Sequence, residues 1–478
     1  MPLECPHLGG VLTFSLWKEI PIRCVVVIDG EHYPPVIEGA LEAYRAAGHE
    51  ILGAVMAGGT EKIGPEGISS IGRTAVRASG DPRATLAEAI IELKPELVLD
   101  LSDEPVLDNR RRLEMAAVAL WHGVAYRGAD FRFWPPRRPA LATKPSMAII
   151  GTGKRTGKTA VAGYAARTLT TAGLSPIVVA MGRGGPEEPE VLRGDRIELT
   201  PADLIELAEA GRHAASDYVE DALLARVPTV GCRRCGGGLA GGVEITNVPE
   251  GVAMANELEG DFILLEGSGA SIPPAKADVT GLIVPANVPL EYLIGYMGPY
   301  KMLLADFVVV TMCENPFGSP SQVSSISDVL DRAWRSPGLE NGTGEALKVV
   351  RTVFRPAPVR SIEGADVFVA TTAPVAAGEA LTRHLENEHR ATVVGISHSL
   401  SDRGKLQAEL EGIAGKADVL LCEVKAAAVD VATRQALDAG LDVVYMDNVP
   451  VGIDGDDPAH VIEWGARLAG ARFEKPSR

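Results

Sequence analysis

The sequence predicts an α/β fold with a mostly parallel sheet, on three observations. Short apolar runs alternate along the chain with stretches of helical spacing, the pattern of repeated strand-helix units. Apolar residues make up 46% of the chain but aromatics only 5%, which leaves a core of small and aliphatic side chains and too few rings for a stacking surface. The third observation is the segment Gly151-Thr152-Gly153-Lys154-Arg155-Thr156-Gly157-Lys158-Thr159, set between an apolar run at 147–150 and a helix-forming run at 160–172. At such a strand-to-helix turn, backbone N–H groups converge on an anion, a lysine reaches terminal phosphates and a hydroxyl ligates Mg²⁺. The segment therefore reads as a P-loop and the middle of the chain as a P-loop NTPase core. The usual G-x-x-x-x-G-K-[ST] spacing would put the first glycine at 152; here it is Thr152, with Gly151 one residue early and Gly153 one late.

Length and composition bound the rest. The 478 residues suggest about three domains. The expected division is an N-terminal Rossmann-like α/β domain over 1–140, the P-loop core over 147–345, and a C-terminal α/β region over 346–478, either separate or continuing the core sheet. The first boundary falls at Pro135-Pro136-Arg137-Arg138-Pro139 and Lys144-Pro145, where a helix or central strand cannot continue. A formal net charge of −17 argues against a general partner role for nucleic acid or an anionic membrane, so an anionic substrate needs a local basic pocket. Six scattered cysteines fit a reducing compartment. No run approaches about 18 apolar residues and no export signal is legible, so the cytoplasm is the expected location. A homodimer is the expected assembly.

Taken in order, strands are expected at 22–28, 51–56 and 97–101, with a helix over 34–48. Asp29, Glu31 and His32, just past the first strand, are either ligand contacts or a solvated polar turn. After the P-loop helix, a strand at 177–180 leads to Arg183, which lies near the phosphates if the two strands are neighbours and is otherwise a surface arginine. Helical spacing runs from Thr200, a cap with Pro201 in the first turn, to Arg226, interrupted at Asp217. The stretch Cys232-Arg233-Arg234-Cys235 enters a run of glycines to Gly242 and reads as an anion-binding loop carrying two guanidinium groups, or as a merely exposed loop. Its Cys-x-x-Cys lacks the second pair that zinc needs. A buried-strand run at 262–265 ends in Glu266, a carboxylate at a strand tip. Thr159, Glu266 and Asp217 make a chemically sensible set for Mg²⁺.

Beyond it, strands are expected at 282–284 and 307–311, the latter running toward Asn315, whose amide suits an adenine edge. Five more strands, at 349–354, 367–370, 393–396, 419–424 and 443–446, read as a parallel sheet. Lys425, at the end of one of them, is a candidate substrate contact or an ordinary salt-bridged lysine.

These residues carry a family resemblance. The offset glycines of the loop, Leu265-Glu266-Gly267-Ser268-Gly269 and Asn315-Pro316 resemble the phosphate loop, Mg²⁺ segment and adenine contact of dethiobiotin synthetase and its relatives. More specifically, 153–159, 231–242, Glu423-Val424-Lys425 with the residues to Asp430, and Ile28-Asp29-Gly30-Glu31-His32-Tyr33-Pro34-Pro35 are similar to the cyclic 2,3-diphosphoglycerate synthetase family over essentially the whole chain. The resemblance implies an ATP-dependent ligase that closes 2,3-diphosphoglycerate into its cyclic phosphoanhydride with release of ADP and phosphate. In that reading Gly153, Lys154, Thr156, Gly157, Lys158, Thr159 and Asn315 bind ATP, and Lys154, Lys158 and Arg183 neutralise the moving phosphoryl group. Thr159, Glu266 and Asp217 hold Mg²⁺, and Arg233, Arg234 and Lys425 bind the polyanionic substrate. Other readings are a P-loop ligase of the dethiobiotin or cobyrinate synthase class and a nucleotide-switched positioning ATPase. The positioning ATPases carry a lysine five residues before the loop lysine, where this chain has Gly153, with Lys154 one late.

Overall fold

A computed structural model describes residues 22–63, 68–78, 80–334, 347–425 and 427–475. They fall into two compact units, one ending at Pro135 and one beginning at Pro136.

The first unit is a single sheet of strands β1 (Arg23–Ile28), β2 (Glu50–Met56), β3 (Ser70–Ile71), β4 (Thr74–Arg77), β5 (Leu97–Asp100), β6 (Ala125–Arg127) and β7 (Arg132–Phe133) in the order β3-β4-β2-β1-β5-β6-β7. β1 pairs in parallel with β2 and with β5, so the strand order reverses direction at the carboxyl ends of β1 and β5. Helices α1 (Pro34–Ala46), α2 (Pro82–Leu93) and α3 (Asn109–Trp121) connect the strands. Buried Asp29 closes the switch point: its carboxylate accepts from the backbone N–H groups of Glu31 (3.0 Å), His32 (3.1 Å) and Asp103 and from His32 Nδ1 at 2.8 Å. Its oxygens are spent on joining the two loops, which favours a structural turn over a ligand contact.

The second unit contains β8 (Ser146–Gly151), β9 (Pro176–Gly182), β10 (Glu190–Arg193), β11 (Pro228–Cys235), β12 (Ile245–Thr246), β13 (Phe262–Glu266), β14 (Val279–Pro285), β15 (Phe307–Thr311), β16 (Lys348–Pro358), β17 (Asp366–Ala370), β18 (Thr392–Ser397), β19 (Val419–Glu423) and β20 (Asp442–Gly452). They form one continuous sheet, β10-β11-β9-β13-β8-β14-β15-β16-β20-β19-β17-β18, with β12 paired to β11. The central strands are parallel and buried on both faces, which is why they read as unbroken apolar runs rather than alternating ones.

The C-terminal strands depart from the parallel sheet expected from the sequence, because one of their pairings is antiparallel. The 11-residue β16 pairs in parallel with β15 through its first half and antiparallel with β20 through its second, from Thr352↔Gly452 to Pro358↔Met446. A single long strand thus carries the phosphate-loop sheet into the C-terminal strands. The C-terminal helix Pro458–Glu474 closes over the join, where a Cβ on Gly465 would sit 2.8 Å from Met147 Cε and 3.2 Å from Phe307 Cε1. Of the helices that matter for the site, α4 (Lys158–Thr171) follows β8. The next are α5 (Pro201–Glu209), opened by a reciprocal Thr200/Asp203 capping box, and α6 (Asp217–Ala225). Helices α7 (Val248–Glu257), α8 (Glu291–Ile294) and α9 (Gly298–Leu304) complete this part. Among the described residues no helix is long and apolar enough to cross a membrane.

Candidate functional site

The phosphate loop joins β8 to α4, and its geometry explains the displaced glycine. A Cβ on Gly151 would lie 2.8 Å from Thr156 Oγ1 and 2.9 Å from Lys158 Cδ, so the lysine stem runs directly over this residue. Thr152 is still strand-like, its N–H donating to Ile283 O of β14 at 3.2 Å, and it tolerates a side chain. Gly157 has φ +87°, and a Cβ there would lie 2.3 Å from the Phe354 ring of β16. Gly153 faces open space, with nothing within 4 Å of its Cβ direction. Gly157→Ala is therefore expected to cost about 2 kcal/mol or more in urea denaturation, from the left-handed backbone and the lost ring packing, while Gly153→Ala stays near neutral.

Lys158 is buried, and its ammonium donates to Gly153 O at 2.9 Å and to Thr156 Oγ1 at 3.4 Å, so it lies inside the loop it will neutralise. The Thr311 hydroxyl, from β15, donates to Thr156 O at 2.8 Å, and Lys301, from α9, donates to Gly151 O at 3.0 Å. Lys154 and Arg155 project from the exposed crest, Arg155 with φ 60°.

Four carboxylates converge beside the loop. Glu266 ends β13, Asp217 and Glu220 come from the first turn of α6, and Asp221 follows them on that helix, which packs on α4 and β9. Spacings of three and four residues put the α6 acids on one face. Asp217 Oδ2 lies 3.8 Å from the Cβ position of Gly182 at the end of β9. Among the described residues both oxygens of Asp221 and Oε2 of Glu266 are buried with no donor group facing them, and the two carboxyls act on each other.

Burial, followed by the nearby Asp217 charge, pushes the Glu266 carboxyl up to about 7 against the pull of the Thr159 hydroxyl and Lys158. Burial also raises Asp217, against the cations Lys158, Lys425 and Arg183, and lifts Asp221 well above its ordinary value. Lys158 is lowered by burial although Glu266 and Asp217 oppose the shift. Glu220 is pushed to about 8 by burial, with Lys425 opposing and Asp217 and Asp447 adding to it. Because these folded-state values lie above the unfolded carboxylate value of about 4.5, the native chain holds extra protons between about pH 4.5 and 8. Stability from this cluster is present below that window and lost as pH rises through it. The melting temperature without divalent cations is expected to fall from pH 5 to 8, and Glu220→Gln to flatten the fall. A curve that rises over this range would contradict the assignment.

The structure separates the other sequence candidates. Arg233 and Arg234 do not lie in the glycine loop; they are the closing residues of β11, paired with β9 and β12, and so face opposite sides. Arg234 donates to Ser268 O at 2.9 Å and Gly236 O at 3.2 Å, which pins the glycine-rich loop onto the turn after Glu266 and brings its charge to Asp217 and Arg183. Arg233 is exposed, its nearest acid Glu187 at 3.9 Å. Arg183 is exposed at the end of β9 and its charge acts on Lys158 and Asp217.

Lys425 comes from beyond β19, its ammonium 3.2 Å from Glu220 Oε1. Against burial, Glu220, Glu423 and Asp447 hold it charged. It is a structural counter-ion of the acidic cluster and stands within its field. Asn315 is exposed beyond β15 next to a cis Pro316, in a segment fixed by the Glu314–Arg355 ion pair (Nη2 to Oε2 2.9 Å). Cys232 is buried, its thiol pushed to about 12 by burial and Glu250, and Cys235 is exposed; both are free thiols. Sequence reasoning missed Glu220, Asp221 and Lys301. The i, i+3, i+4 acids of α6 were a legible signal, as was a lone lysine in the apolar run Tyr300-Lys301-Met302-Leu303.

Three family models cover most of the chain: the cyclic 2,3-diphosphoglycerate synthetase N-terminal domain at residues 23–134, its P-loop domain at 146–336 and its C-terminal domain at 358–449. The chain is 47% identical over 439 residues to the cyclic 2,3-diphosphoglycerate synthetase of Methanothermobacter thermautotrophicus, covering 90% of this chain and 92% of that one. It is 46% identical over 437 residues to that of Rubrobacter xylanophilus, covering 91% and 96%. It is 43% identical over 440 residues to that of Methanothermus fervidus, covering 90% and 94%. With all three segments matched and the phosphate loop, Glu266 and α6 acids in one place, the chain belongs to the cyclic 2,3-diphosphoglycerate synthetase family.

Proposed function

We propose that the chain closes 2,3-diphosphoglycerate into its cyclic phosphoanhydride at the expense of ATP. The observation that carries this reading is the buried Lys158 ammonium inside a phosphate loop that faces carboxylate oxygens of Glu266 and Asp221 with no donor group opposite them among the described residues. A cationic loop next to uncompensated buried acids suits a nucleotide with a divalent cation. Thr159, Glu266 and Asp217 would hold Mg²⁺, a hard cation satisfied by few carboxylates plus nucleotide oxygens, which when bound neutralises phosphate charge.

Loop amides and Lys158 orient the nucleotide, and Asn315 stands at the strand exit as the base contact. Lys154 and Arg183 offset charge as the γ-phosphoryl passes to one substrate phosphate. An oxygen of the second substrate phosphate then attacks the phosphorus of the first, the new phosphoanhydride forms, and the former γ-phosphate leaves as inorganic phosphate. Such a reaction asks for positioning and charge neutralisation rather than an acid-base residue. Arg234 is the substrate contact best supported by its placement; Arg233 and Lys425 belong to the reading as outer cations. The reaction is placed in the cytoplasm and the working form is a homodimer, to be checked by sedimentation.

Phosphorus NMR of the chain with ATP, Mg²⁺ and 2,3-diphosphoglycerate should show the cyclic product and ADP in equal amounts. ATP hydrolysis that is equally fast without 2,3-diphosphoglycerate, or no cyclic product, would sink the reading.

A further inference from the structure

Arg138 lies in the segment Pro136-Arg137-Arg138-Pro139, and two contacts hold that segment against loops beside the site, which a third ties to each other. Pro139 O accepts from Lys276 N at 2.9 Å, in the loop that leaves Glu266. The Pro136 ring lies 3.9–4.0 Å from the Cβ position of Gly242, and Gly241 O accepts from Ile272 N at 2.8 Å. The proline segment therefore backs onto both loops that Arg234 ties together.

Arg138 is half-buried, and among the described residues no hydrogen bond or ion pair engages its side chain. Among the described residues the one ionisable group that acts on it is the phenol of buried Tyr300, and burial lowers its pKa. The next residue, Lys301, is 6% exposed and donates to Gly151 O; among the described residues no acid acts on it, only the like charge of Lys158, and burial brings it down to about 8. Elsewhere in the same unit arginines such as Arg167, Arg351, Arg355 and Arg472 have carboxylate partners. In a chain of net charge −17, Arg138 and Lys301 are two cations on which no acid among the described residues acts, whereas Lys158 has Glu266 and Asp217 beside it; the first two mark a site lacking its anion.

We propose that Arg138 binds the carboxylate of the substrate, the one anionic group that takes no part in the ring closure. This rests on the 2,3-diphosphoglycerate reading. Lys154, Lys158 and Arg183 are committed to the two reacting phosphates, and a guanidinium fork flanked by prolines is a rigid, bidentate match for a carboxylate. Binding there would fix the carbon skeleton while the phosphates approach each other.

The test compares wild type, Arg138→Gln, Arg138→Lys and the exposed neighbour Arg137→Gln with two substrates, 2,3-diphosphoglycerate and propane-1,2-diol bisphosphate, which lacks the carboxylate. Arg138→Gln should raise KM for 2,3-diphosphoglycerate about tenfold or more, the worth of a charge-assisted hydrogen bond, with KM for ATP unchanged. It should leave the carboxylate-free substrate unaffected. Arg138→Lys should fall between, and Arg137→Gln should match wild type. Since a cation without a partner is removed, the melting temperature of Arg138→Gln should hold or rise. Equal losses on both substrates, an unchanged KM, or a lowered melting temperature with both KM values raised would overturn the inference. If wild type forms no cyclic product at all, it is the underlying reading that fails.

Discussion

Lys158→Ala should lower steady-state phosphate release by about a hundredfold or more, the scale of losing one preorganised donor at a developing charge. Two effects combine. The ammonium that lies 2.9 Å from Gly153 O disappears from the loop interior, and Glu266 and Asp217 lose the nearby cation that opposes their raised pKa. Calorimetric titration with a non-hydrolysable ATP analogue should show weakened binding as well. Lys154→Ala should be milder, because that side chain projects from the exposed crest and contributes only charge. Equal losses for the two variants would contradict the assignment of the inner and outer lysines.

Glu266→Gln should move activity and stability in opposite directions. The substitution keeps the shape of a side chain that is 1% exposed but removes a charge crowded by Asp217. Without divalent cations, the variant should gain on the order of 1 kcal/mol at pH 8 by urea denaturation, since the cost of ionising a buried carboxyl is gone. Turnover should fall about a hundredfold, with Mg²⁺ dependence shifted to higher concentration. A variant that loses both stability and turnover would mark Glu266 as structural. Active sites commonly hold such strained charge, which the ligand relieves.

The first of these predictions was legible in the sequence and the second only partly. Glycines, a lysine and a threonine between an apolar strand and a helix are a local pattern, and local patterns are set by backbone conformation and burial over a few residues. The same holds for the Thr200 cap, for β13 ending in Glu266, and for β1, β2 and β5 of the first unit, whereas its short strands β3, β4, β6 and β7 carried no such pattern. The displaced glycine was visible as an oddity, but its cause, the Lys158 stem lying over Gly151, is a side-chain contact that no spacing encodes.

The sequence by itself determined the alternation of strands and helices, the phosphate loop and the carboxylate at the tip of β13, because each follows from periodicity and turn chemistry within one segment. Tertiary structure alone decided which distant groups meet. It carried β16 past its parallel partner into an antiparallel pairing with β20, parted Arg233 from Arg234, and packed α6 so that Glu220 and Asp221 join Glu266. It also left Arg138 without an acid among the described residues. Those outcomes depend on pairings between residues tens to hundreds of positions apart, where packing and desolvation rather than local propensity set the result.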